Sequence, residues 1–282
     1  MLGATQMRKE VARFFYDHRA LPKRLISIVM PNPVLLNLRY FKIYVRLDDW
    51  AVGARIAVNR TYEQHVTKAV RSFLKPGTVV IDIGANIGYY TLLAASHVGN
   101  AGKVIAFEPS SNNCALLDMS VQKNNFNNVV IHTKAVTSEN GYVAFGMDDS
   151  NGNISQNISV THPSQVEAVA LDTFLKDESR IDLIKIDIEG AEGLALNGMK
   201  RILGLHHPVI FTEFCPNALL EISGIPPENY LNGLRDLGYE LYIILKNDSA
   251  KQLPQSNQEI MTIYAECKSD HLDLQAIPKE VG

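Results

Sequence analysis

Between residues 78 and 213 short, nearly continuous apolar runs alternate with segments whose apolar positions recur at helical spacing. The runs at 78–83, 103–107, 129–133, 181–187 and 208–213 predict strands, and the segments at 87–97, 111–124 and 191–203 predict helices. Repeated βαβ units of this kind imply a parallel sheet covered on both faces. From Tyr44 the chain reads as short strands and then a helix, which opens at Thr61-Tyr62-Glu63 with an acid in its first turn. That helix carries Val66, Ala69, Val70 and Phe73 on one face. Two stretches depart from the alternation. Gly141 to Val169 is polar and glycine-bearing, with Tyr142 to Phe145 as a short strand and Gly152 to Ser155 in a loop. Near the end, Leu241–Leu245 and Ile260–Ala265 read as strands joined by a polar connection, which predicts an antiparallel hairpin.

Ahead of these elements the first 20 residues space apolar positions between Arg8, Lys9, Glu10, Arg13, Asp17 and Arg19, as an amphipathic helix does. Residues 25–38 are more apolar but interrupted by Pro31 and Pro33. The division expected is a helical extension over 1–43, packed on a main domain over 44–282, with a peripheral membrane role for the extension as the alternative. The sequence contains no apolar run near the roughly 20 residues that cross a bilayer, and its charged start is not a secretory signal. A formal net charge of −3 with both signs interspersed gives no footprint for nucleic acid. Cys114, Cys215 and Cys267 match neither a disulfide framework nor a C-x-x-C metal spacing, which leaves reduced thiols and a cytoplasmic location as the expectation.

Candidate chemistry concentrates at the strand ends. Val79-Val80-Ile81-Asp82-Ile83 breaks at Gly84 and restarts as a helix after Gly88, and the two glycines let the backbone turn sharply and approach a ligand. The next strand ends in Glu108-Pro109, where a Rossmann-type fold places the acid that accepts hydrogen bonds from ribose hydroxyls. A dinucleotide site wants G-x-G-x-x-G, but Asn86 stands at the middle contact point and Asp82 puts negative charge just ahead. Both features disfavour a phosphate and suit a ligand with a positively charged amino-acid end and a sulfonium, namely S-adenosylmethionine. On spacing, Ala135 at the end of the third strand flanks the adenine.

Taken with Thr61-Tyr62-Glu63, Ala106-Phe107-Glu108-Pro109 and Leu171-Asp172-Thr173-Phe174-Leu175, the loop from Asp82 to Thr91 resembles the FkbM family of S-adenosylmethionine-dependent methyltransferases. The string Lys185-Ile186-Asp187-Ile188-Glu189-Gly190-Ala191-Glu192 is the most specific part of that resemblance, which covers roughly residues 44–215. It implies a Rossmann-like, class I methyltransferase fold of α/β type with an antiparallel hairpin ending a mostly parallel sheet. It also implies an O-methyltransferase acting on a hydroxyl of a small metabolite or a sugar, with Tyr62 and Glu63 closing over the cofactor's amino-acid end.

Methyl transfer from a sulfonium is an in-line displacement, so the protein aligns the partners and supplies a base for an aliphatic hydroxyl. Asp187, Glu189 and Glu213 stand at or just beyond strand ends, where open α/β sheets bind ligands. Glu189 is the expected base, with Glu213 beside it. Asp187 closes a strand of isoleucines at a cost that a bound cofactor offsets. A Mg²⁺ ion held by these three acids is an alternative that is not favoured, since no further aspartate or asparagine just after Glu213 completes a set. Glu192 has a simpler reading as a first-turn acid facing the helix dipole. His162 is a possible base on the polar stretch, and His206-His207 point in different directions and share no metal. Two other activities remain open: N-methylation of a protein or nucleoside, and binding of the cofactor without catalysis.

Overall fold

The computed structural model describes residues 32–148, 151–154, 164–245 and 253–279. The amphipathic segment of residues 1–20 and His162 lie outside the described residues. The chain first forms a hairpin of β1 (Val34–Asn37) and β2 (Lys42–Val45), followed by α1 (Gly53–Asn59) and α2 (Gln64–Phe73). The expected helical character of the extension therefore fails for residues 34–43. Val34, Leu36, Ile43 and Val45 alternate inward, and the hairpin docks on a later helix through Tyr44 N–H to Ser120 Oγ (2.9 Å) and Lys42 N–H to Asn124 Oδ1 (2.8 Å).

Next come β3 (Val79–Ile83), α3 (Tyr89–Val98), β4 (Lys103–Phe107), α4 (Ser111–Asn124) and β5 (Val129–His132). Beyond an excursion, α5 (Leu171–Phe174), β10 (Leu183–Ile186), α6 (Glu192–Asn197), α7 (Lys200–His206) and β11 (Val209–Phe214) complete the expected units. Then follow α8 (Pro216–Ser223), α9 (Pro227–Asp236), β12 (Tyr239–Ile243), α10 (Asn257–Glu266) and β13 (Leu272–Pro278). Seven strands form one sheet in the order β12-β13-β11-β10-β3-β4-β5, parallel except where β13 runs against both of its neighbours.

Strand alternation sorts side chains into two cores. Val80, Val104, Leu183 and Phe211 pack with the hairpin and α1–α4, while Ile81, Ile83, Ile105, Ile184, Ile186 and Ile210 pack with the opposite layer. The inner strands β3, β4 and β10 thus bury both faces, which explains their nearly continuous apolar sequence, while the edge strand β5 is only partly covered.

Three expected elements are corrected. The helix expected at 191–203 is two helices, because Gly198 passes so close to another chain segment that a Cβ there would stand 2.0 Å from Thr137 O. The Asp172 carboxylate then caps the second helix by accepting the N–H groups of Arg201 and Ile202, both at 2.9 Å. Residues 260–265 are helical, not a strand: Ser256 and Glu259 form a reciprocal capping box that starts α10. The antiparallel pair does exist, but its second strand is β13, whose Leu272, Leu274 and Ala276 alternate inward. The polar stretch from 141 is itself a sheet, with β6 (Ala135–Val136), β7 (Gly141–Asp148), β8 (Asn151–Ile154) and β9 (Ser164–Val169) in the order β6-β9-β7-β8. Residues 152–154, expected in a loop, pair with β7, and Ser155 lies outside the described residues.

Candidate active site

A cleft of about 280 Å³ opens at the carboxyl edge of the main sheet. Residues beyond β3, β4, β10 and β11 meet there with the start of α2, Phe145 of the small sheet and the segment before β13. Of the residues expected at a site, Tyr62, Glu63, Gly84, Asn86, Glu108, Ala135, Asp187, Glu189 and Glu213 line it. Asp82 and Gly88 do not.

The loop after β3 explains this split. Gly84, Asn86 and Gly88 all have positive φ, and a Cβ on Gly84 would stand 1.8 Å from the Asp187 carbonyl oxygen. A Cβ on Gly88 would collide with the Leu117 side chain, so this glycine serves helix packing. The Asp82 carboxylate is 2% exposed and accepts the Thr91 hydroxyl at 2.5 Å and the Thr91 backbone N–H. It braces the start of α3 behind the loop rather than meeting a ligand, and burial raises its carboxyl to about 6. Each backbone N–H from residue 84 to 88 has a partner inside the protein. Gly84 and Ala85 donate to Phe107 O, Asn86 to Glu108 Oε2, Ile87 to Asn86 Oδ1 and Gly88 to Ala85 O.

Glu108, buried at the tip of β4, also accepts the Ser110 N–H at 2.9 Å and Asn113 Nδ2 at 3.3 Å. Burial raises its carboxyl to about 7 against these bonds. Across the cleft Glu63 is not in the first turn of α2 as expected; it is the residue before it, with φ 37°, and its carboxylate accepts the Tyr90 hydroxyl at 2.8 Å. Burial and the nearby Asp187 carboxylate raise the Glu63 carboxyl.

Beneath this wall lies Lys185, 3% exposed. Its Nζ is 3.0 Å from Asp187 Oδ2 and 5.1 Å from the centre of the Tyr90 ring. Burial would strip its proton, but the Asp187 and Glu63 carboxylates outweigh burial and raise its pKa. Sequence reasoning quoted Lys185 only as part of a motif. Its place two residues before Asp187 on an otherwise apolar strand was the available signal, since a buried lysine needs a carboxylate partner.

The far side of the cleft is acidic. Glu189 has φ 54°, and burial and then Asp187 raise its carboxyl to about 7. Burial, Asp187 and Glu189 push Glu213 well above the carboxylate range. Asp270 and His271 complete this wall. Neither was expected from sequence. Among the described residues no group of three or more histidine, cysteine, aspartate or glutamate side chains is arranged to hold a metal ion.

A family model described as the methyltransferase FkbM domain matches residues 82–255, more than half of the chain. The chain belongs to the FkbM methyltransferase family. Its fold is that of the class I methyltransferases, a mostly parallel sheet between helical layers. No curated protein matches it. Solved structures similar to this FkbM methyltransferase include a methyltransferase FkbM from Methylobacillus flagellatus KT, with 15% identity, 82% of this chain and 61% of that one covered, and a TM-score of 0.45. A precorrin-6y C5,15-methyltransferase from Geobacter metallireducens GS-15 matches at 14% identity over 77% of this chain and 93% of its own, with a TM-score of 0.44. An O-methyltransferase from Thermotoga maritima matches at 15% identity over 87% and 85%, with a TM-score of 0.43. Among the described residues of the FkbM chain no helix is long and apolar enough to cross a membrane.

Proposed function

We propose that this chain transfers the methyl group of S-adenosylmethionine to a hydroxyl oxygen of a small metabolite or sugar. The observation that carries the choice of cofactor is the loop from Gly84 to Gly88, whose five N–H groups are all satisfied within the protein. A pyrophosphate would find no donors there, whereas phosphate-binding loops depend on such donors. The residues present fit a cationic ligand instead, because Glu63, Asp187, Glu108 and the far acidic wall all face the cleft.

S-adenosylmethionine supplies a methyl group on a cationic sulfur, which keeps the bonding pair when that methyl leaves. Glu108 takes the ribose hydroxyls, and Ala135 flanks the adenine with Val136 and Phe145. Tyr62, Glu63 and Asp187 hold the amino-acid end, where Arg55 offers a cation to its carboxylate. Gly84 and Asn86 form the floor, while Asp82 and Gly88 maintain the loop's shape from behind. Glu189 and Glu213 meet the acceptor. A cluster whose carboxyls are raised by burial and by one another, Glu189 to about 7, handles a proton, and an aliphatic hydroxyl has a proton to lose. This supports oxygen over nitrogen as the atom methylated.

Calorimetric titration of the full chain with S-adenosylmethionine and, separately, with NAD tests the cofactor. Heat is expected from the first alone. Glu108→Ala removes a charged acceptor and is expected to weaken binding about 10- to 100-fold, the equivalent of about 1.5–3 kcal/mol. Binding of NAD without S-adenosylmethionine would refute the reading. Labelled methyl groups recovered as N-methyl products from a metabolite extract would correct the acceptor atom.

A further inference from the structure

We propose that His271 is the base that takes the acceptor's proton, an inference that rests on the methyl-transfer reading above. His271 immediately precedes β13 and lines the cleft on the same wall as Glu189. Its Nδ1 lies 2.8 Å from Asp270 Oδ1 and 3.3 Å from Glu213 Oε1. A ring nitrogen facing oxygens of two carboxyl groups carries the proton, so the neutral ring has its lone pair on Nε2. Nε2 has no hydrogen-bond or ion-pair partner among the described residues. Asp270 fixes this tautomer, because the His271 hydrogen bond holds its carboxyl below the usual range and therefore ionised.

Glu189 and Glu213 are weaker candidates on the same evidence. Burial and neighbouring carboxylates raise the carboxyls of both, whereas the Nε2 lone pair of a neutral ring is open to a proton. Glu189 from the segment after β10, Glu213 from β11, Asp273 from β13 and Asp270 from its own segment lie within electrostatic reach of the ring. Glu213 and Asp270 are then positioning residues that hold the ring, and the Asp270 carboxylate stabilises the imidazolium.

The balance of the step is simple. The acceptor O–H bond breaks and its proton bonds to Nε2. The oxygen pair forms the O–CH₃ bond as the S–CH₃ bond breaks and its pair stays on sulfur. A positive charge disappears from sulfur and one appears on the imidazole, so the cleft keeps its net charge and requires no other reactant. His271 lies beyond residues 82–255, so the family match does not reach it. It is delivered by the antiparallel pairing of β13 with β11, in which Asp273 stands opposite Glu213.

Nitrogen-15 NMR of the full chain with labelled histidine, assigned by comparison with His271→Gln, reads the tautomer without cofactor or acceptor. A proton on Nδ1 and a bare Nε2 in the neutral ring are expected. A proton on Nε2 instead would overturn the inference. In a second arm, transfer of labelled methyl to a small-metabolite extract is expected to fall about 10²- to 10⁴-fold in His271→Gln, with calorimetric affinity for S-adenosylmethionine unchanged within about twofold. Undiminished transfer in that variant, with loss in Glu189→Gln, would return the role of base to Glu189. Absence of cofactor binding in the wild type would instead refute the methyl-transfer reading, and the tautomer would still decide the state of the ring.

Discussion

Replacing Glu192 by glutamine separates two physical roles for one buried acid. Glu192 is 1% exposed, its Oε1 accepts the Ile188 N–H at 3.0 Å, and its Oε2 has no partner among the described residues. If the first-turn position on α6 were what mattered, the negative charge would stabilise the helix start and glutamine would cost about 0.3–1 kcal/mol at pH 8. Burial argues the opposite sign. It raises the carboxyl from 4.5 to about 7, even though backbone hydrogen bonds pull it down. An acid with a higher pKa folded than unfolded binds more protons in the native state between those two values. Its contribution is therefore fully present below about pH 4.5 and lost as pH rises through about 7. At about 1.4 kcal/mol per tenfold change in proton concentration, the loss approaches about 3 kcal/mol.

Glutamine keeps an acceptor for Ile188 and does not ionise. Urea unfolding is expected to show Glu192→Gln more stable than wild type at pH 8 by about 1–3 kcal/mol and equal within about 0.5 kcal/mol at pH 4.5. At roughly 2–4 °C per kcal/mol for a chain of this order, the melting temperature at pH 8 rises by several degrees. A variant less stable at pH 8, or a difference independent of pH, refutes the argument.

Two further substitutions test how the cleft is supported. Gly84→Ala places a methyl 1.8 Å from the Asp187 carbonyl at φ 80°, so strain in the left-handed region and overpacking together are expected to destabilise the fold by about 2–5 kcal/mol in urea. A loss under about 1 kcal/mol would show that the tips of β3 and β10 separate easily. Lys185→Met keeps the apolar stem against Tyr90 but leaves Asp187 without its buried cation, with an expected loss of about 3–5 kcal/mol at pH 8. Unchanged stability would mean that solvent or protonation compensates Asp187.

The parts of the fold legible in sequence were those governed by local rules. β3, β4 and β5 and helices α3 and α4 fall within two residues of their expected limits, because each strand is apolar on both faces and each following helix begins at a turn. Residues 260–265 misled because Ile260, Thr262, Ile263 and Tyr264 favour strands by composition. The capping box at Ser256 and Glu259 was the competing signal, and it lies outside the run itself. The small sheet was missed for another reason: the register of β7 with β9 joins segments separated by a polar stretch, and no local periodicity encodes that pairing. Asp82 was misassigned because a strand-tip acid beside a glycine turn suits a ligand and a helix start equally well; only the Thr91 contact distinguishes them.

The same distinction divides the cleft. Gly84, Asn86 and Glu108 follow strands directly, so their positions are set within one strand, turn and helix, and the family motifs capture them. The acidic far wall, the acceptor side of the proposed reaction, depends on β13 inserting between β12 and β11 against the direction of the parallel strands. That insertion brings Asp273 opposite Glu213, where the His65 imidazole meets its carboxylate at 2.8 Å. Burial pushes the Asp273 carboxyl up, but the His65 bond and Lys185 hold it below the usual range, so it remains a fixed anion behind the cleft. α2 is thus tied to β13 beneath Glu63, while His271, just before that strand begins, reaches Glu213. On the proposed reading the cofactor side and the acceptor side share one support, so a substitution that shifts β13 is expected to alter both binding and proton transfer.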